Sequence, residues 1–317
     1  MTDFNDIKGR KPLKEQLSKL IAKGRISHGY IFEGPSGSGK KLIADAFSEL
    51  LFCSNPDKLN PCGICEGCTG YKEKYILQSD KAITVEDIRN LTADTQLMPI
   101  HNRRKIYIIH DADTMTDQAQ NAFLKTLEEP PSYAYFILTV TNSEQMIDTI
   151  RSRSIIIYTG VNSKQEVLEY LEEKHPDSDM QYIYSAACFS EGCIGRADTL
   201  ISDEAFKQTR IAAIGYLSEI KTDLTEKDIK TDITVFLEVL QSIFRDTVIY
   251  KETGQTVNLI NTDISDIIKR TAAKNSSKSL LNAYNSVMKA AEYIKDNVSA
   301  SIAVGTMNME LMEELNI

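Results

Sequence analysis

The chain has 317 residues, of which 42% are apolar and 26% are charged, and its formal net charge is −9. This length predicts two or three globular domains, and the excess of acid argues against a protein that binds nucleic acid unaided. No apolar run is long enough to cross a bilayer, and the N-terminus has no signal-peptide core. We therefore expect a cytoplasmic protein with no membrane partner.

A phosphate-binding loop is the first clear motif. An apolar helical face at Leu13 and Leu17 precedes the predicted strand Tyr30-Ile31-Phe32, and a second apolar helical pattern follows the loop to about Leu51. The loop fits G-x-x-x-x-G-K-[ST] except at its last position, where lysine replaces the hydroxyl that would hold Mg²⁺. The candidate nucleotide-binding residues are Gly34, Pro35, Ser36, Gly37, Ser38, Gly39, Lys40 and Lys41.

Four cysteines follow the helix after the loop, in the pattern Cys53-x8-Cys62-x2-Cys65-x2-Cys68. Four thiolates at such spacings can close a tetrahedral Zn²⁺ site, and glycines between them permit tight turns. With all four positions filled by protein, the metal is expected to be structural. The alternative is a group of free or buried cysteines.

The next strand is predicted over 105–109 and ends at His110-Asp111, after the basic run Arg103-Arg104-Lys105. We interpret the basic run as a solvated turn. P-loop ATPases carry Asp-Glu at the end of the corresponding strand, for Mg²⁺ and for the attacking water. Histidine is a poor substitute, because Mg²⁺ prefers oxygen ligands.

Strands are also predicted over 135–140, ending at Thr141, and over 155–158. Because strands alternate with helices, the pattern predicts an α/β fold with a mostly parallel sheet covered by helices on both faces. Ligands of such sheets bind at the carboxyl ends of the strands, where the phosphate loop, Asp111 and Thr141 all fall. These two residues complete the candidate nucleotide site.

From about residue 161 the strand signals fade. Ser163-x-x-Glu166 predicts a helix cap, and the chain from about 204 to 317 is predicted to be helical, with breaks near 222–228, Gly254 and 275–277. Because no chemical motif occurs in this half, it is predicted to pack or oligomerise.

Several motifs together resemble one family. They are the phosphate loop, the four-cysteine insert, the block Asn121–Pro131 within Thr116–Pro131, and Ser152-Arg153-Ser154. In this order they resemble the bacterial clamp-loader subunits of DNA polymerase III. The resemblance by motif covers about residues 1–200.

This resemblance implies a RecA-like P-loop AAA+ domain over 1–160 with a zinc module at about 53–70, a helical lid over 161–203 and an all-α collar over 204–317. It implies a heteropentameric ring with gamma/tau and delta subunits, which opens the sliding clamp and places it on primed DNA. It also implies that Arg153 contacts ATP bound by a neighbouring subunit. Without the motif, Arg153 reads as a surface cation before a strand.

Three departures from the motor (gamma/tau) pattern favour the stator type, delta-prime, and loss of hydrolysis. They are Lys41, His110-Asp111, and Gly195 at the position of a nucleotide-sensing arginine, with Arg196 one residue later. A chain of 317 residues is also short for a motor subunit. ATP binding stays open, because the glycines and Lys40 are intact but the loop could equally be a vestigial turn. The enzyme alternatives are a gamma/tau-type motor ATPase and a nucleoside monophosphate kinase with a zinc-stabilised lid.

Overall fold

The computed structural model describes residues 3–22, 26–79, 81–218, 232–257, 259–296 and 298–315. The chain forms two compact units, one of Met1–Tyr170 with Glu191–Arg196 and the other of Leu171–Ser190 with Ala197–Ile317. The predicted division into three domains stays a prediction, and its break near 222–228 lies outside the described residues. Within the described ranges, every helix is too short or too polar to cross a membrane.

The first unit alternates strands and helices along the chain. Its elements are α1 (Lys11–Ala22), β1 (Gly29–Glu33), α2 (Lys40–Phe52), α3 (Glu66–Thr69), β2 (Glu73–Leu77), α4 (Val85–Thr95), β3 (Lys105–Ile109), α5 (Asp117–Glu128), β4 (Ala134–Val140), α6 (Asp148–Ser152), β5 (Ile155–Tyr158) and the start of α7 (Lys164–Lys174).

The five strands form one parallel sheet in the order β2-β3-β4-β1-β5. This confirms the predicted α/β class, and β1 lies centrally, between β4 and β5. The strand β2 has no counterpart among the predicted strands. It lies at the sheet edge, where Tyr75 and Ile76 are exposed while Glu73 is buried, so it has no apolar run of the kind that marks β3 or β4.

Each face of the sheet carries its own core. On one face α1 and α2 pack against the sheet around Phe47, and on the other α4 and α5 pack around Phe123. Both phenylalanines are fully buried and make edge contacts with aromatic rings of the central strands. Helices on both faces leave only the two ends of the strands for binding sites.

Two helices begin with reciprocal capping bonds, and the second of them confirms the predicted cap at Ser163. The side chain of Thr84 accepts a hydrogen bond from the Asp87 backbone N–H at 3.4 Å, and the Asp87 carboxylate accepts from the Thr84 N–H at 2.9 Å. Ser163 and Glu166 exchange the same pair of bonds at 3.2 and 2.9 Å. These reciprocal bonds satisfy backbone donors that the first helical turn leaves unpaired.

The second unit is helical wherever it is described, as predicted. Its helices are α8 (Met180–Phe189), most of α9 (Ile194–Ser202), α10 (Glu204–Ser218), α11 (Ile233–Thr253), α12 (Ser265–Lys274), α13 (Ser277–Lys295) and α14 (Ala300–Glu314). Its core centres on Phe236, Phe244 and Leu280. Arg210 is buried here and pairs with Asp263 at 2.6 Å.

Candidate functional site

The phosphate loop joins β1 to α2 at the carboxyl end of the sheet. Gly37 and Gly39 have φ of +71° and +81°, a region that favours glycine, and Gly39 caps α2. A side chain at Gly34 would overlap the Thr159 hydroxyl. The glycine pattern that predicted the loop is therefore required by its backbone.

The ammonium group of Lys40 donates hydrogen bonds to the backbone of the phosphate loop to which it belongs. The Lys40 ammonium donates to the carbonyl oxygens of Gly34 at 2.6 Å and Pro35 at 3.0 Å, and it is buried. Burial lowers the pKa of Lys40. The group that would contact a terminal phosphate thus already has acceptors from its own chain.

Arg10 links the phosphate loop to the end of β5 by hydrogen bonds. Its buried guanidinium donates to Asn162 Oδ1 at 3.1 Å, to the Thr159 carbonyl at 2.6 Å and to the Ser38 carbonyl. Burial lowers the pKa of Arg10. Sequence reasoning missed this residue, because it lies in a polar segment well before the loop.

Lys41 and Asp111 meet at the position where an ATPase would hold Mg²⁺. Their Nζ and Oδ2 atoms are 2.9 Å apart, and their side chains are 45% and 38% exposed. His110 beside them is buried, and its Nδ1 lies 3.4 Å from the Thr139 hydroxyl. Burial, and next the charge of Lys41, lower the pKa of His110. An ammonium group therefore lies beside the carboxylate at the position that faces the attacking water in a P-loop ATPase.

Thr141 lies directly after β4, as predicted. The backbone around it is held by the carboxylate of Asp113. The Asp113 carboxylate accepts from the backbone N–H of Thr141 at 2.7 Å and of Asn142 at 3.3 Å. The Thr141 N–H group is thereby already paired. Sequence reasoning missed Asp113, because its role depends on the neighbouring strand.

The segment 191–196 packs against the phosphate loop. The Gly195 N–H donates to the Gly37 carbonyl at 3.1 Å, and a side chain at Gly37 would come within 2.9 Å of the Arg196 backbone nitrogen. Gly195 stands where the family resemblance implies the loss of a sensor arginine. In the structure its backbone packs directly on the phosphate loop.

Arg153 lies at the opposite end of the sheet. It ends α6, just before β5, and its backbone is next to Gly29 at the start of β1. Its guanidinium pairs with Glu128 Oε1 at 2.8 Å and donates to the Thr149 carbonyl at 3.0 Å, with its side chain 35% exposed. The five residues of β1 separate it from the phosphate loop by about 16 Å. Its partner Glu128 lies in the block that carries the family resemblance.

The four cysteines form one cluster. Their sulfur atoms all lie within 4.8 Å of one another, with Cys65 at 3.5 Å from Cys68 and 4.0 Å from Cys53. A tetrahedron with 2.3 Å zinc–sulfur bonds has edges of about 3.8 Å, so the donor set fits Zn²⁺. The structure thus brings together all four predicted ligands.

Backbone donors support this cluster. The Ser54 N–H donates to Cys65 Sγ at 3.4 Å, which lowers the pKa of Cys65 to about 6, whereas burial raises the pKa of Cys68 to about 12. A side chain at Gly67 would overlap the Phe52 carbonyl, so a glycine is needed where the chain folds back on α2. The module therefore begins where α2 ends, at the amino end of the sheet.

Taken together, the parallel sheet, the phosphate loop and the helical second unit define a P-loop α/β protein with a four-cysteine module. Residues 9–160 match the family model described as DNA polymerase III, delta subunit, and residues 217–313 match DNA polymerase III, delta subunit, C terminal. Between them these matches span most of the chain.

Curated relatives point the same way. The tau subunit of DNA polymerase III from Escherichia coli K12 is 30% identical over 211 residues, 64% of this chain and 33% of that protein. The gamma subunit from Buchnera aphidicola (Baizongia pistaciae) is 27% identical over 274 residues, 84% of this chain and 68% of that protein. A gamma subunit-related protein of known structure from Thermotoga maritima has a TM-score of 0.44 at 17% identity, covering 95% of this chain and 99% of its own.

The chain belongs to the family of DNA polymerase III clamp-loader subunits. It spans about a third of the length of the tau subunit that it matches, since it covers 33% of that protein.

Proposed function

We propose that this chain is a stator-type, delta-prime subunit of a clamp loader, which supplies Arg153 to ATP bound by a neighbouring motor subunit. The observation that carries this proposal is the position of Arg153. It lies at the amino end of the sheet, about 16 Å from the chain's own phosphate loop, so it cannot contact a nucleotide held there. A partly exposed guanidinium in this position suits a phosphate of another subunit.

The pairing with Glu128 supports a positioning role for that acid. A carboxylate 2.8 Å from the guanidinium fixes its direction, and because Glu128 is 47% exposed the pair is only partly desolvated. Such half-exposed pairs contribute about 1 kcal/mol or less, so a phosphate can displace the acid at little cost. In the neighbour's site Arg153 would stabilise the charge that develops on the γ-phosphate during hydrolysis.

The state of the loop supports the loss of hydrolysis by this chain. Lys40 is bonded to loop carbonyls, Lys41 is paired with Asp111, and the Gly195 backbone donates to Gly37. The two positions that would hold Mg²⁺ thus carry an ammonium group and an imidazole, neither of which is a ligand for a hard cation. ATP binding without turnover is the most that this arrangement supports.

Within this proposal the cysteine module holds one structural Zn²⁺, and the chain joins gamma/tau and delta subunits in a heteropentameric ring. The assembled ring, rather than this acidic chain alone, would act on the sliding clamp and primed DNA. The helical second unit would supply the collar contacts of the ring.

A motor ATPase of the gamma/tau type is the second candidate, because the curated relatives named above carry those names. ATP turnover by the purified chain separates the two functions. We expect no turnover above a Lys40→Ala control under conditions in which a motor subunit is active. Turnover at a motor subunit's rate, abolished by Lys40→Ala, would establish the motor instead.

A further inference from the structure

A cavity of about 350 Å³ lies beside the cysteine module, in the first unit. The end of α2, the module around Glu66 and the segment 102–104 line it. It belongs to the amino end of the sheet, and none of the residues in the phosphate loop contributes to it.

Asn102 gives the cavity an unused donor. Its Oδ1 accepts from the Arg103 backbone N–H at 2.8 Å, which fixes the orientation of the amide. Its Nδ2 is buried and has no hydrogen-bond partner among the residues that the structure describes. A buried donor without a partner is unfavourable, so a ligand that supplies an acceptor here is stabilised.

The two arginines of the cavity differ in whether their guanidinium groups already have partners within the chain. Arg104 donates to the Leu51 carbonyl and lies over the Tyr135 ring, with 5.4 Å between its guanidinium carbon and the ring centroid. Arg103 is exposed and makes no ion pair with any described residue. The cavity therefore offers one free guanidinium and one free amide donor to an anion.

Exposed apolar side chains lie close in sequence to the residues that line the cavity. Ile64 precedes the module's short helix and is 86% exposed, while Ile100 precedes Asn102 and is 82% exposed. Tyr71 is 68% exposed and makes an edge contact with the ring of His101. The buried Glu73 carboxylate accepts from the Ile100 backbone N–H at 3.1 Å, so Ile100 is held in its exposed position. Apolar side chains fixed in water mark a surface for a protein partner.

We propose that this cavity binds an aspartate or glutamate side chain that a partner protein presents between apolar residues. The carboxylate would accept from the Arg103 guanidinium and from Asn102 Nδ2, and the flanking apolar side chains would cover Ile64, Tyr71 and Ile100. A planar carboxylate matches the fork of a guanidinium. The assignment is independent of the function proposed for Arg153.

Two other roles for the arginines of the cavity fit the structure less well. They could balance the charge of the cysteine sulfurs, or they could bind nucleic acid. If the arginines only balanced the thiolates, they would bond to sulfur, but Cys53 and Cys65 accept from the backbone N–H groups of Cys62 and Ser54. A nucleic-acid backbone would need a row of cations, whereas this cavity has a single free guanidinium. The exposed apolar side chains near the lining residues and the single free guanidinium favour a protein segment.

Nuclear magnetic resonance on the full chain, labelled with ¹⁵N-arginine, tests the site. The Arg103 Nε–Hε signal is identified by its absence in Arg103→Gln. We expect acetyl-Ile-Asp-Leu-amide to shift this signal saturably, and acetyl-Ile-Asn-Leu-amide to leave it in place. Equal shifts with both peptides, no saturable shift, or a shift with a dT10 oligonucleotide but not with the aspartyl peptide would overturn the proposal.

Asn102→Asp sharpens this test, because it keeps the acceptor for the Arg103 N–H and replaces the free donor by an acceptor. We expect the aspartyl peptide to bind it about tenfold more weakly, the usual worth of one hydrogen bond to a charged group. Asn90→Asp adds the same charge at an exposed position of α4 and should leave binding unchanged. Equal weakening in both variants would show a general charge effect and contradict the site.

Discussion

The two ends of the same parallel sheet differ in what their polar groups contact. At the carboxyl end, Lys40, Lys41 and Arg10 are all bonded to acceptors of the same chain. At the amino end, Arg153 shares a half-exposed pair, Arg103 has no ion-pair partner among the described residues, and four cysteine sulfur atoms converge. The polar groups at the end that binds nucleotide in this fold contact acceptors of the chain itself, whereas those at the opposite end are partly exposed.

The phosphate loop keeps its glycines, although Lys41 and His110 stand where P-loop ATPases carry residues that support Mg²⁺. The glycines remain because the turn between β1 and α2 needs their backbone conformations. The charged residues around them now stabilise the loop. Arg153, on which the proposed function depends, lies a strand's length away, and a phosphate-loop motif alone does not identify it.

The largest expected effect concerns the cysteine module. We predict about one Zn²⁺ per purified chain, and its loss in Cys68→Ser, because a structural site needs all four ligands. Removing the metal should cost the module at least about 4 kcal/mol of local stability. Elemental analysis and hydrogen exchange over residues 53–70 measure both quantities.

Cys188→Ser is the matched control, since Cys188 lies in α8 and is not part of the cluster. It should keep both the metal and the exchange protection of the module. A metal-free chain with full protection over 53–70 would contradict the zinc assignment at the amino end.

The next effect concerns Arg10 at the carboxyl end. Arg10→Ala leaves the carbonyls of Ser38, Thr159 and Gly160 without this donor, so we expect the free energy of unfolding of the first unit to fall by about 2–4 kcal/mol. Urea unfolding measures it. Arg89→Ala, at an exposed position of α4, should change it by about 0.5 kcal/mol or less. Comparable small losses in both variants would mean that the loop does not depend on Arg10.

The smallest effect is a pH dependence from His110. Its pKa in the folded chain lies below its ordinary value of 6.5, because of burial and then Lys41. The unfolded chain therefore binds the proton first, and stability falls as the pH drops below 6.5 toward the folded pKa. His110→Asn should remove this part of the slope between pH 7 and pH 5 in urea unfolding. An unchanged slope would show that His110 is not protected from protonation.

The sequence predicted the features that depend on local pattern. Apolar runs predicted β1, β3, β4 and β5, and the spacing of the cysteines predicted a cluster that the structure confirms. The edge strand β2 was not predicted from the sequence, because two of its five residues are exposed and it lacks a buried apolar run. The sequence also did not predict the contacts of Arg10, Asp113 and Glu128. Each of these residues contacts a segment that is distant in sequence and that only folding brings close.

ATP hydrolysis by the reconstituted clamp loader tests most directly which end of the sheet carries the function. We predict that Arg153→Ala lowers turnover about tenfold or more, while Arg151→Ala, which removes a neighbouring α6 arginine paired with Asp148, leaves it unchanged. Lys40→Ala in this chain's own loop should also leave turnover unchanged, with assembly verified for every variant. Full turnover with Arg153→Ala, together with a large loss with Lys40→Ala, would contradict the proposed role of Arg153 in trans.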